Sequence, residues 1–152
     1  MDIYSFQYCQ KIVVFSKDFN KVLLCKRKGE ADYDGVYSFI GGKMEHKDVD
    51  FLESLKREKN EEVGASFKIR IHPFFTTNAL FLKNSGDNMV LPHYIAIYEE
   101  GEVILNEEYS DYKWVDLQHI DSFEPKVPTI PDVITKLTVL MPILDMNDFI
   151  II

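Results

Sequence analysis

Three glutamates in this chain are spaced to do chemistry together. Glu58, Glu61 and Glu62 fall at i, i+3 and i+4, so on a helix their side chains meet on one face. Like charges so placed repel by roughly 0.2–0.5 kcal/mol per pair when exposed, and by more when burial strengthens the field. A hard divalent cation offsets that repulsion. Mg²⁺ takes oxygen ligands from a few carboxylates and keeps positions open for water and phosphate oxygens. The competing reading is a solvated acidic face relieved by Lys56, Arg57 and Lys59. The glycine pair Gly41-Gly42 upstream and the Arg57-Glu58 step favour the metal reading. Glycine permits positive φ and close backbone approach, so the Gly41 carbonyl is a further candidate ligand for Mg²⁺ or Mn²⁺. Lys43 follows the pair and is a candidate to reach a phosphate.

These residues need a helix and a tight turn to hold them. The pattern predicts a helix over 50–63, with Asp50 and Glu53 as a capping box and Gly64 in the left-handed conformation at its end. Phe51, Leu52, Leu55 and Val63 form its apolar face. Before it, Tyr8–Phe15 and Lys21–Arg27 read as a β-hairpin, and Val36–Ile40 as a short buried strand ending in a glycine turn. After it come one or two strands over Ser66–Leu82, bent near Pro73, a turn at Asn84–Asn88, a strand over Val90–Tyr98 and a returning one over Val103–Leu105. Pro125, Pro128 and Pro131 interrupt the chain before a closing helix at about 132–141. His93, on a strand with alternating neighbours, reads as structural or substrate-lining. The apolar ending Phe149–Ile152 is expected to dock on the domain or on a second subunit.

The stretch Gly41–Ala65, GGKMEHKDVDFLESLKREKNEEVGA, resembles the Nudix box, G-x5-E-x7-R-E-U-x-E-E-x-G-U with U a bulky apolar residue. Gly42, Arg57-Glu58, Glu61-Glu62 and Gly64 stand in its positions. The departures are Asp48 in place of the first glutamate, eight residues instead of seven between it and Arg57, Lys59 at an apolar position and a small Ala65. The resemblance implies an α/β fold in which a mixed β-sheet is sandwiched between α-helices, here as one domain over 1–152. It also implies metal-dependent cleavage of the pyrophosphate bond in a nucleoside diphosphate linked to another group.

Carried residue by residue, the resemblance makes Glu58 and Glu62 metal ligands, Glu61 a ligand directly or through water, and Arg57 the residue that orients Glu58. Glu58 is also a candidate general base. Arg27 gains a phosphate-contacting role, and Lys43 joins it. The acidic loop Asn106–Asp111 resembles one that supplies a further acid in relatives, with Glu107 and Glu108 as candidates. Tyr33, Tyr37 and Phe75 are candidates to stack on a base. The length fits a MutT-like hydrolase of (deoxy)nucleoside triphosphates, and Phe81 stands where ADP-ribose and dinucleoside-polyphosphate hydrolases tend to carry proline. The alternatives are an ADP-ribose or nucleotide-sugar pyrophosphatase and a non-catalytic nucleotide sensor. A prenyl diphosphate isomerase would need a cysteine in the cleft, whereas Cys25 lies within a strand.

Composition narrows the partners. The 152 residues are 46 % hydrophobic and 28 % charged, as in globular proteins. A net charge of −8 disfavours nucleic-acid polymers and anionic membranes, but a metal and local cations can still admit a nucleotide. No stretch approaches the roughly 18 apolar residues of a membrane span, and the first residues lack the charged and apolar regions of a signal peptide. Cys9 and Cys25 lack metal-ligand spacing and read as reduced core residues, which suits the cytoplasm. A homodimer is a further expectation, through the apolar ending.

Overall fold

The computed structural model describes residues 3–152. Its centre is β1 (Gln7–Phe15), which is buried on both faces. Ile12 and Val14 point into one core with Leu23, Ile40 and Phe67, and Val13 and Phe15 into a second with Val22, Phe39 and Ile95. A strand apolar on both faces belongs in the middle of a covered sheet. Helix α1 (Phe51–Val63) closes the first core through Leu55 and Val63. Helix α2 (Ile130–Leu140) closes the second through Ile130, Val133, Ile134 and Leu137. The expected mixed sheet between helices is therefore borne out.

The remaining strands are β2 (Lys21–Arg27), β3 (Tyr37–Ser38), β4 (Ile40–Lys43), β5 (Lys68–Leu82), β6 (Asn88–Glu100), β7 (Tyr109–Asp116) and β8 (Ile150–Ile151). The sheet order is β3-β2-β1-β6-β5-β8, with β4 also on β1 and β7 also on β2. Among the described residues only β1 and β6 run parallel. The β1–β2 hairpin pairs only at Phe15 and Val22. Beyond that point β1 takes β4 as its neighbour and β2 takes β3 and β7.

Three expectations change in detail, and for the ending one of the two alternatives is selected. Gly41-Gly42 does not form a turn but lies within β4, opposite Lys11 and Gln10. No strand covers Val103–Leu105. The N–H groups of Ile104 and Asn106 donate instead to the carbonyls of Val63 (2.9 Å) and Glu62 (3.3 Å), which the end of α1 leaves without helical partners. Gly64 has φ 98 and ψ 148, a positive φ outside the left-handed helical region. The ending is strand β8, paired with Arg70 and Ile71 of β5, so it docks on its own sheet. Asp50 caps α1 as expected, accepting from the Glu53 N–H at 2.7 Å. The bend near Pro73 is a shift of register in β5 between Ile71 and Thr76, at a residue with no N–H to donate.

Lys59 fills its apolar position by burying its whole length. Its ammonium donates to the carbonyls of Phe67 at 2.7 Å and Gly64 at 3.4 Å. Loss of water pushes its pKa down to about 8.

Candidate active site

The site begins where β4 crosses the inner face of α1. A Cβ on Gly42 would lie 2.4 Å from the Glu58 carboxyl carbon, and one on Gly41 would lie 2.0 Å from the Gln10 carbonyl oxygen. Only two glycines let this strand pass between β1 and α1. The passage gives Glu62 a partner, because the Gly41 N–H donates to its Oε2 at 2.7 Å. Tyr109 donates its hydroxyl to the other oxygen at 3.2 Å. The backbone group of Gly41 seen at work here is thus the N–H, where the sequence pointed to the carbonyl. Burial outweighs the nearby Lys11 and the Gly41 N–H, and the charges of Glu58 and Glu108 add to it. The Glu62 carboxyl is pushed up to about 8. Glu58 is raised in the same way, chiefly by burial, with Arg57 opposing and Glu61 and Glu108 contributing.

Arg57 holds the acids without lining the cavity. Its Nε and Nη2 donate to the two oxygens of Asp48 at 3.1 and 3.0 Å, and its Nη1 donates to Glu58 Oε1 at 3.0 Å. Glu45 and Glu61 sit farther out at 3.4 and 3.5 Å. The Asp48 side chain is 3 % exposed, and the Arg57 hydrogen bond holds its carboxyl down to about 2. The extra residue before α1 therefore leaves a first acid in place, and its geometry is that of a buttress for Arg57. Such a two-point grip fixes the guanidinium plane in a way a lysine could not.

A cavity of about 640 Å³ opens over these groups. Its acids are Glu30, Asp32, Glu45, Glu58, Glu62 and Glu108, and its cations are Lys11, Arg27, Lys43 and Lys83. Arg27 is steadied by the Asp32 carbonyl at 3.2 Å and by Glu30 at 3.4 Å, and its buried Nε has no protein partner. His93 lines the wall. Burial pushes its pKa down to about 4, so it is neutral at pH 7, and its Nδ1 lies 2.8 Å from the Leu91 carbonyl.

The structure separates the remaining candidates. Glu108 lines the cavity, whereas Glu107 is exposed outside it. Glu61 also lies outside, with its side chain 55 % exposed. Tyr33 is in the lining, but Tyr37 is buried in the α2-side core with its hydroxyl 2.5 Å from Asp111, and Phe75 packs on His72 away from the cavity. Both cysteines are free thiols. Cys25 is sealed in the α1-side core, while Cys9 reaches the cavity wall with its pKa raised by burial. Lys11 and Tyr109 join the site without having been expected there. The signal for Lys11 was a lysine inside the apolar run YCQKIVVF, in alternation with Cys9 and Val13. Tyr109 had no comparable local signal.

The donor set fits a divalent cation. Burial raises both Glu58 and Glu62, and the charge of Glu108 adds to each, so these hard oxygen donors carry a repulsion that such an ion relieves. Among the described residues no three His, Cys, Asp or Glu side chains gather into a complete metal cage. Mg²⁺ needs only one or two carboxylates when water and substrate phosphates supply the rest.

The chain matches the family model of the NUDIX domain over residues 9–137. No curated protein matches it. Among solved structures it is similar to the MutT protein from Methanosarcina mazei Go1, at a TM-score of 0.75 and 18 % identity over 91 % of this chain and 97 % of that one. It is similar to the NUDIX domain of Shewanella oneidensis NrtR complexed with ADP ribose, at 0.71 and 19 % over 91 % and 90 %. A C. elegans Ap4A hydrolase gives 0.73 and 15 % over 91 % and 99 %. At these identities the neighbours speak for the fold, while the family match spans most of the chain. With Gly42, Glu58 and Glu62 of the box lining one cavity, this chain belongs to the Nudix family and is a pyrophosphohydrolase of that family.

Proposed function

We propose that the protein uses Mg²⁺ or Mn²⁺ to hydrolyse nucleoside triphosphates or their deoxy forms, as a MutT-like pyrophosphohydrolase. One observation carries the reading: a single cavity brings Glu58, Glu62 and Glu108 together with four cations, Lys11, Arg27, Lys43 and Lys83. The acids suit a divalent ion and the cations suit the phosphates beside it. When bound, that ion neutralises phosphate charge and makes water more acidic.

The chain's own residues do the rest. Glu58 and Glu62 would hold the ion, with the Gly41 carbonyl as a third candidate and Glu61 as a ligand directly or through water. Arg57, gripped by Asp48, fixes the Glu58 carboxylate. Arg27 and Lys43 orient the phosphates for in-line attack. Water attacks one phosphorus, its proton passes to the carboxylate of Glu108 or Glu58, and the bridging P–O bond breaks. An ADP-ribose or nucleotide-sugar pyrophosphatase is the second reading, favoured by the ADP ribose in the Shewanella domain. In either case we place the activity in one cytoplasmic domain, consistent with the free thiols Cys9 and Cys25. No helix among the described residues is long and apolar enough to cross a membrane. A homodimer stays within the proposal, but β8 is occupied on its own sheet and no longer argues for it.

A panel of nucleoside triphosphates, ADP-ribose, nucleotide sugars and dinucleoside polyphosphates tests the reading, with Mg²⁺ or Mn²⁺ and with Glu62→Gln in parallel. Turnover of one class that is lost in the variant supports it. Silence across the panel from folded wild-type protein would sink it.

A further inference from the structure

We infer that Tyr33 and Phe81 form a stacking platform that grips the aromatic base of the substrate at the mouth of the cavity. The inference deepens the proposed function and rests on its nucleotide reading for the identity of the planar group.

The cavity lining is mixed. Beside its charged residues it carries the apolar and aromatic side chains of Tyr33, Phe81, Met89 and Leu91. The Tyr33 and Phe81 rings touch, with centroids 5.6 Å apart and planes tilted by 38°. Neither ring belongs to either core, and Tyr33 is 42 % exposed. Their contact therefore adds little to the two cores, yet the chain is organised to maintain it. Tyr33 has φ 52, a conformation that a bulky side chain rarely adopts and that persists only where surrounding contacts impose it.

Those contacts are visible. The Asp32 carboxylate accepts from the Asn84 N–H at 2.9 Å, and the Asn84 amide donates to the Ala31 carbonyl at 3.4 Å. They tie the Gly29–Gly35 loop to the turn between β5 and β6. Arg27 braces the same loop through the Asp32 carbonyl, and the Gly35 N–H returns to the Arg27 carbonyl at 2.9 Å. The residue that meets phosphate in the proposed mechanism is thus bonded to the residue before Tyr33. A nucleotide with its phosphates on Arg27 would have its base end beside these rings. Every base offers a π-face, and stacking on an aromatic side chain tolerates the identity of the base.

Calorimetry tests this without turnover. The probes are α,β-methylene-ADP and methylenediphosphonate, which share the bridged phosphorus groups but differ in the nucleoside. Wild type, Tyr33→Leu, Phe81→Leu and Tyr33→Phe are compared in the presence of Mg²⁺. Each leucine variant is expected to weaken the nucleotide about tenfold, to leave methylenediphosphonate within about twofold, and Tyr33→Phe to bind like wild type. Equal weakening of both probes would mean that the loop collapsed, and unchanged nucleotide affinity would mean that the rings are bystanders. Either result overturns the platform. If wild type hydrolyses nucleotides while the variants keep full affinity, the platform fails and the proposed function stands. If wild type binds the nucleotide through its base but hydrolyses none, the platform stands and the proposed function fails. Wild type that binds no nucleotide at all removes both.

Discussion

Gly41 and Gly42 are adjacent, yet a side chain at each would do different harm. At Gly42 the added Cβ meets the end of the Glu58 side chain, which can swing away. Gly42→Ala should keep the fold, with stability changed by less than about 1 kcal/mol. It should also lower kcat/KM by about a hundredfold, because the acid is misplaced. At Gly41 the Cβ meets the Gln10 backbone in a residue with φ 132, and neither can yield. Gly41→Ala should cost about 3 kcal/mol in urea denaturation. Similar losses of stability in the two variants would contradict this account. Glu62 adds a pH dependence. Its folded pKa is about 8 against an ordinary 4.5, so between those values the folded state keeps a proton that the unfolded chain has released. Stability of the metal-free protein therefore falls as pH rises through that window. Glu62→Gln should flatten the fall and melt no lower than wild type at pH 8, while losing metal-dependent hydrolysis. Metal-free melts at pH 5 and pH 8 decide the point.

Within α1, Lys59 gives a test of the opposite sign. Its folded pKa of about 8 lies below the ordinary 10.5, so between them the unfolded chain holds a proton that the folded state has lost. Wild-type stability should rise relative to Lys59→Met as pH climbs from about 8 to about 10.5. Denaturation of the two proteins at several pH values measures this, and parallel curves would show that the ammonium is solvated after all. The ends of α1 were legible because their signals are local: Asp50 caps with its own side chain, and a glycine stands at position 64. The burial of Lys59 was not, since its partners are carbonyls of the following loop. Gly41-Gly42 misled in a similar way. Glycine marks both turns and close approach, and only the pairing of β4 with β1 selects the second. In Val103–Leu105, apolar residues suggested a strand, but unpaired carbonyls at the end of α1 claimed the backbone.

Across the whole molecule, the box was readable because α1 carries most of it in one continuous stretch, whereas Lys11, Tyr109 and the Tyr33–Phe81 pair become neighbours only through pairing of distant segments. The closing segment shows the same dependence on the assembled sheet. Its apolar run predicted docking, but not that Phe149 would enter the α2-side core while Ile152 enters the α1-side core. Between them β8 covers part of the β5 edge, with Ile152 and Ile69 exchanging backbone hydrogen bonds at 2.9 and 3.1 Å. The segment thus ties the two layers together at one edge of the sheet. Phe149→Ala should cost about 3 kcal/mol, as expected for a buried aromatic ring. Independent contacts to separate cores would make Phe149→Ala and Ile152→Ala additive. A short strand held at both ends should instead detach as a unit once either anchor is gone, so the double variant should lose about 1 kcal/mol less than the sum. A double-mutant cycle by urea denaturation distinguishes the two. Strict additivity would mean that each face of the sheet holds its own anchor and that β8 contributes no coupling between them.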